Sequence, residues 1–458
     1  MTNSLRACVA AVLLAGGQRA AAQETFTLDR AMQYAAEHYP SVRAAVEQVT
    51  ASNAGVSVAR SAYLPRLDAL WQTNRATANN VFGQILPQSV LPSLTGPVLT
   101  STSPESVWGS AAGALFSWEP VDFGLRRAVV AGAEAAVTQA RAGEALTRLE
   151  VQSAVGAAFL NAAAAERAVL AAQADVERRD ALSRTVHALV DNQLRPGADA
   201  SRADAERAAA QTRLIQARQA FAIAQLMMTR LLGMEGGVRV DASVLLERVP
   251  AAGVAPADAA AHPLAQARQA AVDAAVAQQQ VLARTDLPRL YLQSSVFARG
   301  SGANANGTFD GGADGLGLER ANWAAGLQIV VPNVFDYSSL RARKAAAAAS
   351  ARAETARHDE ALLTISSERQ AAAVTVQAAR DVAANTPVQV AAARQSLTQA
   401  NARYQAGLTG IIDVADAQHL VAQSELQDAL ARVDVWRALL AQAVAGGAID
   451  PFLGLLKP

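Results

Sequence analysis

The sequence predicts a mainly α-helical protein with a small β part, built by duplicating one helix–strand–helix unit. Three observations lead to that class. First, the chain repeats itself. Tyr39-Pro40 opens a stretch that closes on Leu64-Pro65-Arg66-Leu67, and His262-Pro263 opens one that closes on Leu287-Pro288-Arg289-Leu290, with both pairs of prolines 223 residues apart. Second, residues 124–191 contain no proline and are rich in Ala, Glu, Arg and Gln, all good helix formers; residues 340–403 are similar apart from Pro387. Third, segments of mixed polar and apolar residues, about ten long, lie between each Leu-Pro-Arg-Leu and the long helix that follows it. A long internal repeat implies two structurally equivalent halves, expected at residues 23–250 and 251–458.

Residues 1–22 are expected to be a secretory signal peptide. One Arg lies in residues 1–6, an apolar run fills 7–16, and Ala20-Ala21-Ala22 precedes Gln23-Glu24, which is an A-x-A type cleavage pattern. The run is too short to span a bilayer, which takes roughly 20 residues. Cys8 precedes the run, whereas a lipid-anchoring cysteine would follow it, so Cys8 is expected to leave with the signal. The mature chain would then hold no cysteine and use no disulfide or thiol chemistry. Cleavage removes Arg6 and Arg19 from the 40 basic residues, leaving 38 against 40 acidic ones and a formal charge of −2. A near-neutral chain lacks the clustered positive charge that nucleic-acid binding needs.

The elements follow in order. Short helices are expected at 41–62 and 264–285, each stopped by its Leu-Pro-Arg-Leu because proline disfavours helix at the preceding residue. The strands are expected at 67–76, 107–118, 290–299 and 322–331. Trp71, Trp108, Phe116, Trp118, Tyr291, Phe297 and Trp323 lie in or beside them, where an interfacial girdle would need aromatic rings. Residues 77–106, with Asn79-Asn80, Pro87, Pro92 and Pro97, and the Gly/Asn/Asp-rich 300–318 read as long polar loops on the outer side of a barrel. The long helical hairpins are expected at 124–232 and 340–445. Their outgoing helices would be about 100 and 95 Å long, more than compact domains hold. On the return helices Leu214, Phe221 and Met228, and again Leu426, Val433 and Leu440, recur every seven residues, as coiled-coil seams do.

No later segment is an uninterrupted apolar stretch of 18 residues, so no membrane-spanning helix is expected; a membrane crossing would have to be a closed β-barrel. Four strands cannot close one. Three chains supply twelve, which makes a cyclic trimer the natural closure, with the long helices continuing below as an α-helical barrel.

At this level the sequence resembles the TolC-like outer membrane factors. The resemblance rests on the duplicated unit, on Pro120-Val121-Asp122-Phe123-Gly124-Leu125-Arg126, and on the turn Arg403-Tyr404-Gln405-Ala406-Gly407-Leu408-Thr409-Gly410-Ile411-Ile412-Asp413-Val414-Ala415-Asp416. It implies an exit duct of a tripartite efflux or type I secretion system, passing small molecules or other cargo from the periplasm to the exterior. The barrel would sit in outer-membrane lipid and the helical barrel in the periplasm. The implied partners are two further copies of the chain, a periplasmic adaptor protein, and an inner-membrane pump of RND, MFS or ABC type. The resemblance also maps residues. Tyr404, Asp413 and Asp416 correspond to the constricted entrance. Ala406, Gly407, Leu408 and Thr409, and Arg195, Pro196 and Gly197 on the first hairpin, correspond to adaptor-docking tips. Asp413 and Asp416 are i, i+3 on one helix face, so three chains would present six carboxylates, a ring that attracts cations. Ordinary solvated acids near a helix N-terminus are the alternative.

The sequence departs from the family pattern at several places. Thr409 stands where a basic residue is frequent, the first tip lacks the Gly-Leu pair, and Phe335-Asp336-Tyr337 replaces a Phe-Asp-Gly-Gly type turn. Pro387 is expected to kink the second long helix, either as a hinge or harmlessly. Chemistry finds no foothold: the five histidines show no metal-ligand spacing, and no phosphate loop or hydrolase motif occurs. No enzyme activity, cofactor or metal is expected, and transport energy would come from the pump. The alternative reading is a soluble periplasmic coiled-coil scaffold or adaptor protein.

Overall fold

The computed structural model describes residues 24–456 except 82–85, 93–96, 235–236, 244, 246–249, 251–252, 254–257 and 333–335. The expected signal peptide, Cys8 and Phe335 lie outside the described residues. In order, the elements are β1 (Glu24–Phe26), α1 (Leu28–His38), α2 (Pro40–Ser61), β2 (Arg66–Thr77), β3 (Ser106–Val121), α3 (Leu125–Asp191), α4 (Gly197–Leu232), β4 (Val238–Val240), α5 (Pro263–Ala283), β5 (Arg289–Ser301), β6 (Arg320–Val330), α6 (Tyr337–Gln405), α7 (Ile411–Gly446) and α8 (Asp450–Gly454). The fold is mainly helical with a small β part. Pro40 and Pro263 take the first position of α2 and α5, where a missing N–H costs nothing and the fixed φ suits a helix. Pro387 is held inside α6, which stays helical from end to end.

The chain divides into two compact units. Among the described residues, one comprises those of 24–48, 141–269 and 357–456, the other those of 49–140 and 270–356. The boundaries fall within α2, α3, α5 and α6 rather than between the two sequence repeats.

In the first unit a core gathers Phe26, Met32, Phe159, Leu160, Met228, Leu232, Trp436, Leu439 and Phe452. It is closed by pieces the sequence reading did not anticipate: α1, α8, and the parallel pairing of β1 with β4, in which Glu24 faces Val238 and Phe26 faces Val240. On α1 the buried residues Leu28, Ala31, Met32, Ala35 and Ala36 follow helical spacing along one stripe. An 18-residue window of α3 reaches a mean hydropathy of 1.3; Val155, Phe159, Leu160, Ala162 and Ala163 of that helix are fully buried in this core.

The second unit holds a four-stranded antiparallel sheet in the order β2-β3-β5-β6. Each strand except β6 extends beyond its expected range at both ends. The largest difference is in β3, expected to stop at Trp118. Pro120 has no N–H for the ladder, and a register shift between Trp118 and Val121 absorbs it. β6 starts two residues early, because Arg320 pairs with Arg299. The register sorts the side chains into two faces. One carries Leu67, Trp71, Trp118, Leu292, Val296, Trp323, Leu327 and Ile329, all exposed. The other carries Asp68, Gln72, Asn74, Gln293, Ser295, Arg299 and Gln328 with a few small or apolar residues. In the polar loop after β2, Leu91 is 4% exposed and packs with Ala111 and Phe297 on the polar face.

The strand-to-helix junction explains the motif at 120–126. Asp122 accepts from the amides of Gly124 at 3.0 Å and Arg126 at 2.6 Å, and from Arg126 Nε at 2.9 Å. Arg126 also donates to the Ala62 carbonyl at 3.1 Å and lies 4.9 Å over the Tyr63 ring. Burial pushes the Asp122 carboxyl up, but these amide and guanidinium bonds outweigh it and hold the group below the usual carboxylate range. One buried pair thereby fixes the start of α3 against the end of α2.

Candidate functional site at the hairpin tips

The helical hairpins turn at 192–196 and 406–410, both within the first compact unit. In the second turn Gly407 takes φ 75°, its amide donates to the Tyr404 carbonyl at 3.0 Å, and the Leu408 amide donates to the Arg403 carbonyl at 2.9 Å. This is the Schellman arrangement, which satisfies the last carbonyls of a helix. The first turn is built the same way. Gln193 takes φ 58°, its amide reaches the Val190 carbonyl at 2.8 Å, and the Leu194 amide reaches the Leu189 carbonyl at 2.8 Å. Pro196 and Gly410 are the equivalent extended N-caps of α4 and α7. The first tip lacks the Gly-Leu sequence yet adopts its geometry, and Leu194 and Leu408 are exposed at matching positions. Glycine at 407 avoids the strain that a side chain meets at positive φ; Gln193 carries that strain.

The two turns are tied together through Tyr404. Although it lies next to the last residue of α6, its side chain is only 2% exposed and packs among Val186, Ala200, Ala203, Ile411 and Val414. Its hydroxyl donates to Asp199 Oδ2 at 3.0 Å. The Arg195 guanidinium lies 4.2 Å over its ring and donates to its carbonyl. Burial, then the Asp199 hydrogen bond and charge, push the Tyr404 phenol up to about 12, against a smaller opposing effect of Arg195. The phenol is therefore a permanent donor near neutral pH.

Asp413 lies in the first turn of α7 and Asp416 one turn on, both exposed. The carboxylate that Tyr404 meets is neither of these but Asp199, which sequence reasoning missed. The tip alignment gives the signal: Asp199 stands to Gln193 as Asp413 stands to Gly407. By the same alignment Arg195 matches Thr409, whose hydroxyl has no hydrogen-bond partner among the described residues. Ala406, Gly407 and Leu408 are exposed at the second tip, and Pro196 and Gly197 at the first. Arg195 is half-buried against Tyr404. Among the described residues no group of three or more His, Cys, Asp or Glu side chains could hold a metal ion.

Below the first tip an ion network joins α3 to α4. Arg179, 1% exposed at its side chain, bonds Asp175 at 3.1 Å and Glu206 at 2.8 Å, and Arg213 reaches Asp175 at 3.0 Å. A buried charge left without its partner is costly, so the network fixes the register of this hairpin.

Long helical hairpins joined to a sheet with one apolar and one polar face define a membrane channel protein. The chain belongs to the outer membrane efflux protein family: the family model matches residues 31–234 and 257–447. Its place is the outer membrane and its function that of an exit channel for efflux. No curated protein matches the sequence. Among solved structures it is similar to the outer membrane protein VceC of Vibrio cholerae, with a TM-score of 0.71 and 18% identity over 92% of this chain and 96% of that one. CusC, a transmembrane channel, gives 0.75 and 14% over 92% of each chain. The open state of the Neisseria gonorrhoeae MtrE channel gives 0.67 and 19% over 92% and 89%.

Proposed function

We propose that three copies of this chain form a passive duct from the periplasm to the exterior, closed at its periplasmic end by the hairpin tips. The observation that carries the assembly is the sheet with two open edges. Every β6 residue but the last is exposed, Trp323 at 79%. An unpaired edge in lipid leaves backbone groups unsatisfied at several kcal/mol each. Pairing β6 of one chain with β2 of the next resolves both edges. Eight strands would give an interior filled by side chains, whereas twelve leave a lumen, which favours three chains over two. The exposed apolar face then meets lipid and the polar face lines the lumen. Exposed Leu363, Val374 and Val388 on α6 would be covered when neighbouring chains complete the helical barrel. The two family matches within one chain support the reading as two structural repeats. Detergent-extracted protein from outer membranes should have the mass of three chains by light scattering; a monomer would end the barrel proposal.

The matching exposed leucines, Leu194 and Leu408, would be the docking points of a periplasmic adaptor, at both tips rather than one. The adaptor would couple the duct to an inner-membrane pump of RND, MFS or ABC type, and their engagement would separate the tips. The duct itself would perform no catalysis and bind no cofactor. Asp413 and Asp416 would form the acidic ring at the entrance. Replacing both by Ala should weaken block of single-channel current by multivalent cations, because it removes the ring of carboxylates that attracts them. Unchanged block would remove them from the entrance.

A further inference from the structure

We propose that the junction between β3 and α3 binds an anionic phospholipid of the periplasm-facing leaflet, an inference that rests on the barrel reading above. The first observation is strain. Phe123 takes φ 50°, in the left-handed region that a bulky residue rarely adopts. Nothing inside the protein offsets it: the side chain is 58% exposed and joins none of the hydrophobic clusters of the described residues. The turn itself does not need the ring, because its bonds run from Asp122 to Gly124 and Arg126. Strain kept at the surface by a side chain that packs nowhere is a sign of function.

The position of the ring says which partner it meets. Val121, Leu290 and Ile329 pair across the strands as the last row of the apolar face at the helical end of the sheet. Asp122 turns inward and is buried, which returns Phe123 to the apolar side by strand alternation. In a barrel this level meets the lipid headgroups, where girdles of aromatic rings sit. Positive charge stands beside the ring. Arg284, exposed just past the end of α5, donates to the Phe123 carbonyl at 3.1 Å. Gly124, at φ 91°, admits it, because a Cβ there would stand 2.7 Å from Arg284 Nη1. Arg127, one turn further on, is exposed and makes no hydrogen bond or ion pair among the described residues. Asp122, Glu134 and Asp286 are bonded to Arg126, Arg60 and Lys344 instead, so they leave both guanidiniums uncompensated. Guanidinium groups suit phosphate oxygens, and the Phe123 ring suits the acyl chains just beneath them.

The test counts retained lipid. Detergent-purified full-length protein is stripped of lipid and mixed with equal amounts of phosphatidylglycerol and phosphatidylcholine of matched chains. It is then repurified by gel filtration, and its bound lipid is measured by mass spectrometry. Wild-type protein should retain phosphatidylglycerol in excess. Arg127→Gln should lower the ratio of the two lipids by about fivefold, the contribution of one basic residue near a membrane surface. Phe123→Gly should lose retained phosphatidylglycerol while melting no lower than wild type, because glycine adopts positive φ without strain. A merely structural role for the ring predicts the reverse, a lower melting temperature with lipid unchanged. Equal retention of the two lipids by wild type, or a ratio unmoved by Arg127→Gln, would overturn the site and leave the barrel standing. Displacement of phosphatidylglycerol by millimolar inorganic phosphate would also overturn it, as the mark of a free-anion site. So would dissociation of the subunits by Phe123→Gly at an unchanged lipid ratio, the mark of a contact between copies. Wild-type protein that stays in solution without detergent and retains neither lipid would instead overturn the barrel reading.

Discussion

Tyr404→Phe combined with Arg195→Ala should turn a poorly conducting channel into an open one, raising its conductance in planar bilayers by about tenfold or more. The first change deletes the hydroxyl that donates to Asp199, and the second deletes the guanidinium stacked on the ring and bonded to its carbonyl. A hydrogen bond to a charged group contributes about 1.5–3 kcal/mol and a partly desolvated cation–π contact about 0.5–2. Since about 1.4 kcal/mol is a factor of ten in an equilibrium, losing both in each chain is enough to invert a closed-to-open balance. Phe keeps the ring's packing against Val186, Ile411 and Val414, so the amount of folded protein should hold. Conductance equal to the parent at equal protein would show that this latch does not close the entrance. The wild-type latch has a pH signature of known sign. The folded pKa of Tyr404 is raised to about 12 from an ordinary value near 10. Its contribution is therefore complete below pH ~10 and lost as pH rises through about 12, so opening that depends on this phenol appears only on the alkaline side.

Trp436→Ala should be the most damaging single substitution. The indole is 1% exposed, meets Phe452 edge-on at 6.0 Å, and donates Nε1–H to the Leu245 carbonyl at 2.7 Å. Emptying that volume costs about 3–5 kcal/mol, and leaving the carbonyl unsatisfied adds about 1–3. Against a typical stability of 5–15 kcal/mol, outer-membrane protein at 37 °C should fall to about a tenth of wild type, read by immunoblot of the fractionated membranes. Trp436→Phe, which fills most of the space but makes no hydrogen bond, should fall between the two. A normal level of the Ala variant would mean that α7 is held by other contacts.

The long helices and strands were legible because their signals are local and sustained. Residues 125–191 carry helix formers without a break, and the faces of β2 and β6 alternate through Leu67, Trp71, Trp323 and Leu327. The elements missed are those with almost no local signal. β1 and β4 are three residues each, paired across more than 200 positions, and only their contact defines them. At the site, Tyr404, Asp413 and Asp416 came from the motif at 403–416. Asp199 did not, because the first tip hides the same geometry behind Gln193 in place of glycine. One contact of the loop at 77–106 was hidden for a related reason. Its Asn and Pro content marks a loop, and composition does not reveal that Leu91 packs against Ala111 and Phe297.

The uncovered borders of the sheet have a further consequence for biogenesis. In the trimer proposed above, a lone chain would carry two rows of backbone donors and acceptors at the borders of its sheet, which another strand could capture. Membrane insertion and the meeting of subunits would then be one coupled event. Assembly yield should depend on local subunit concentration and on chaperone escort, as well as on the stability of the finished channel. A variant that folds well once assembled can still be scarce, lost in transit as aggregate before its neighbours arrive.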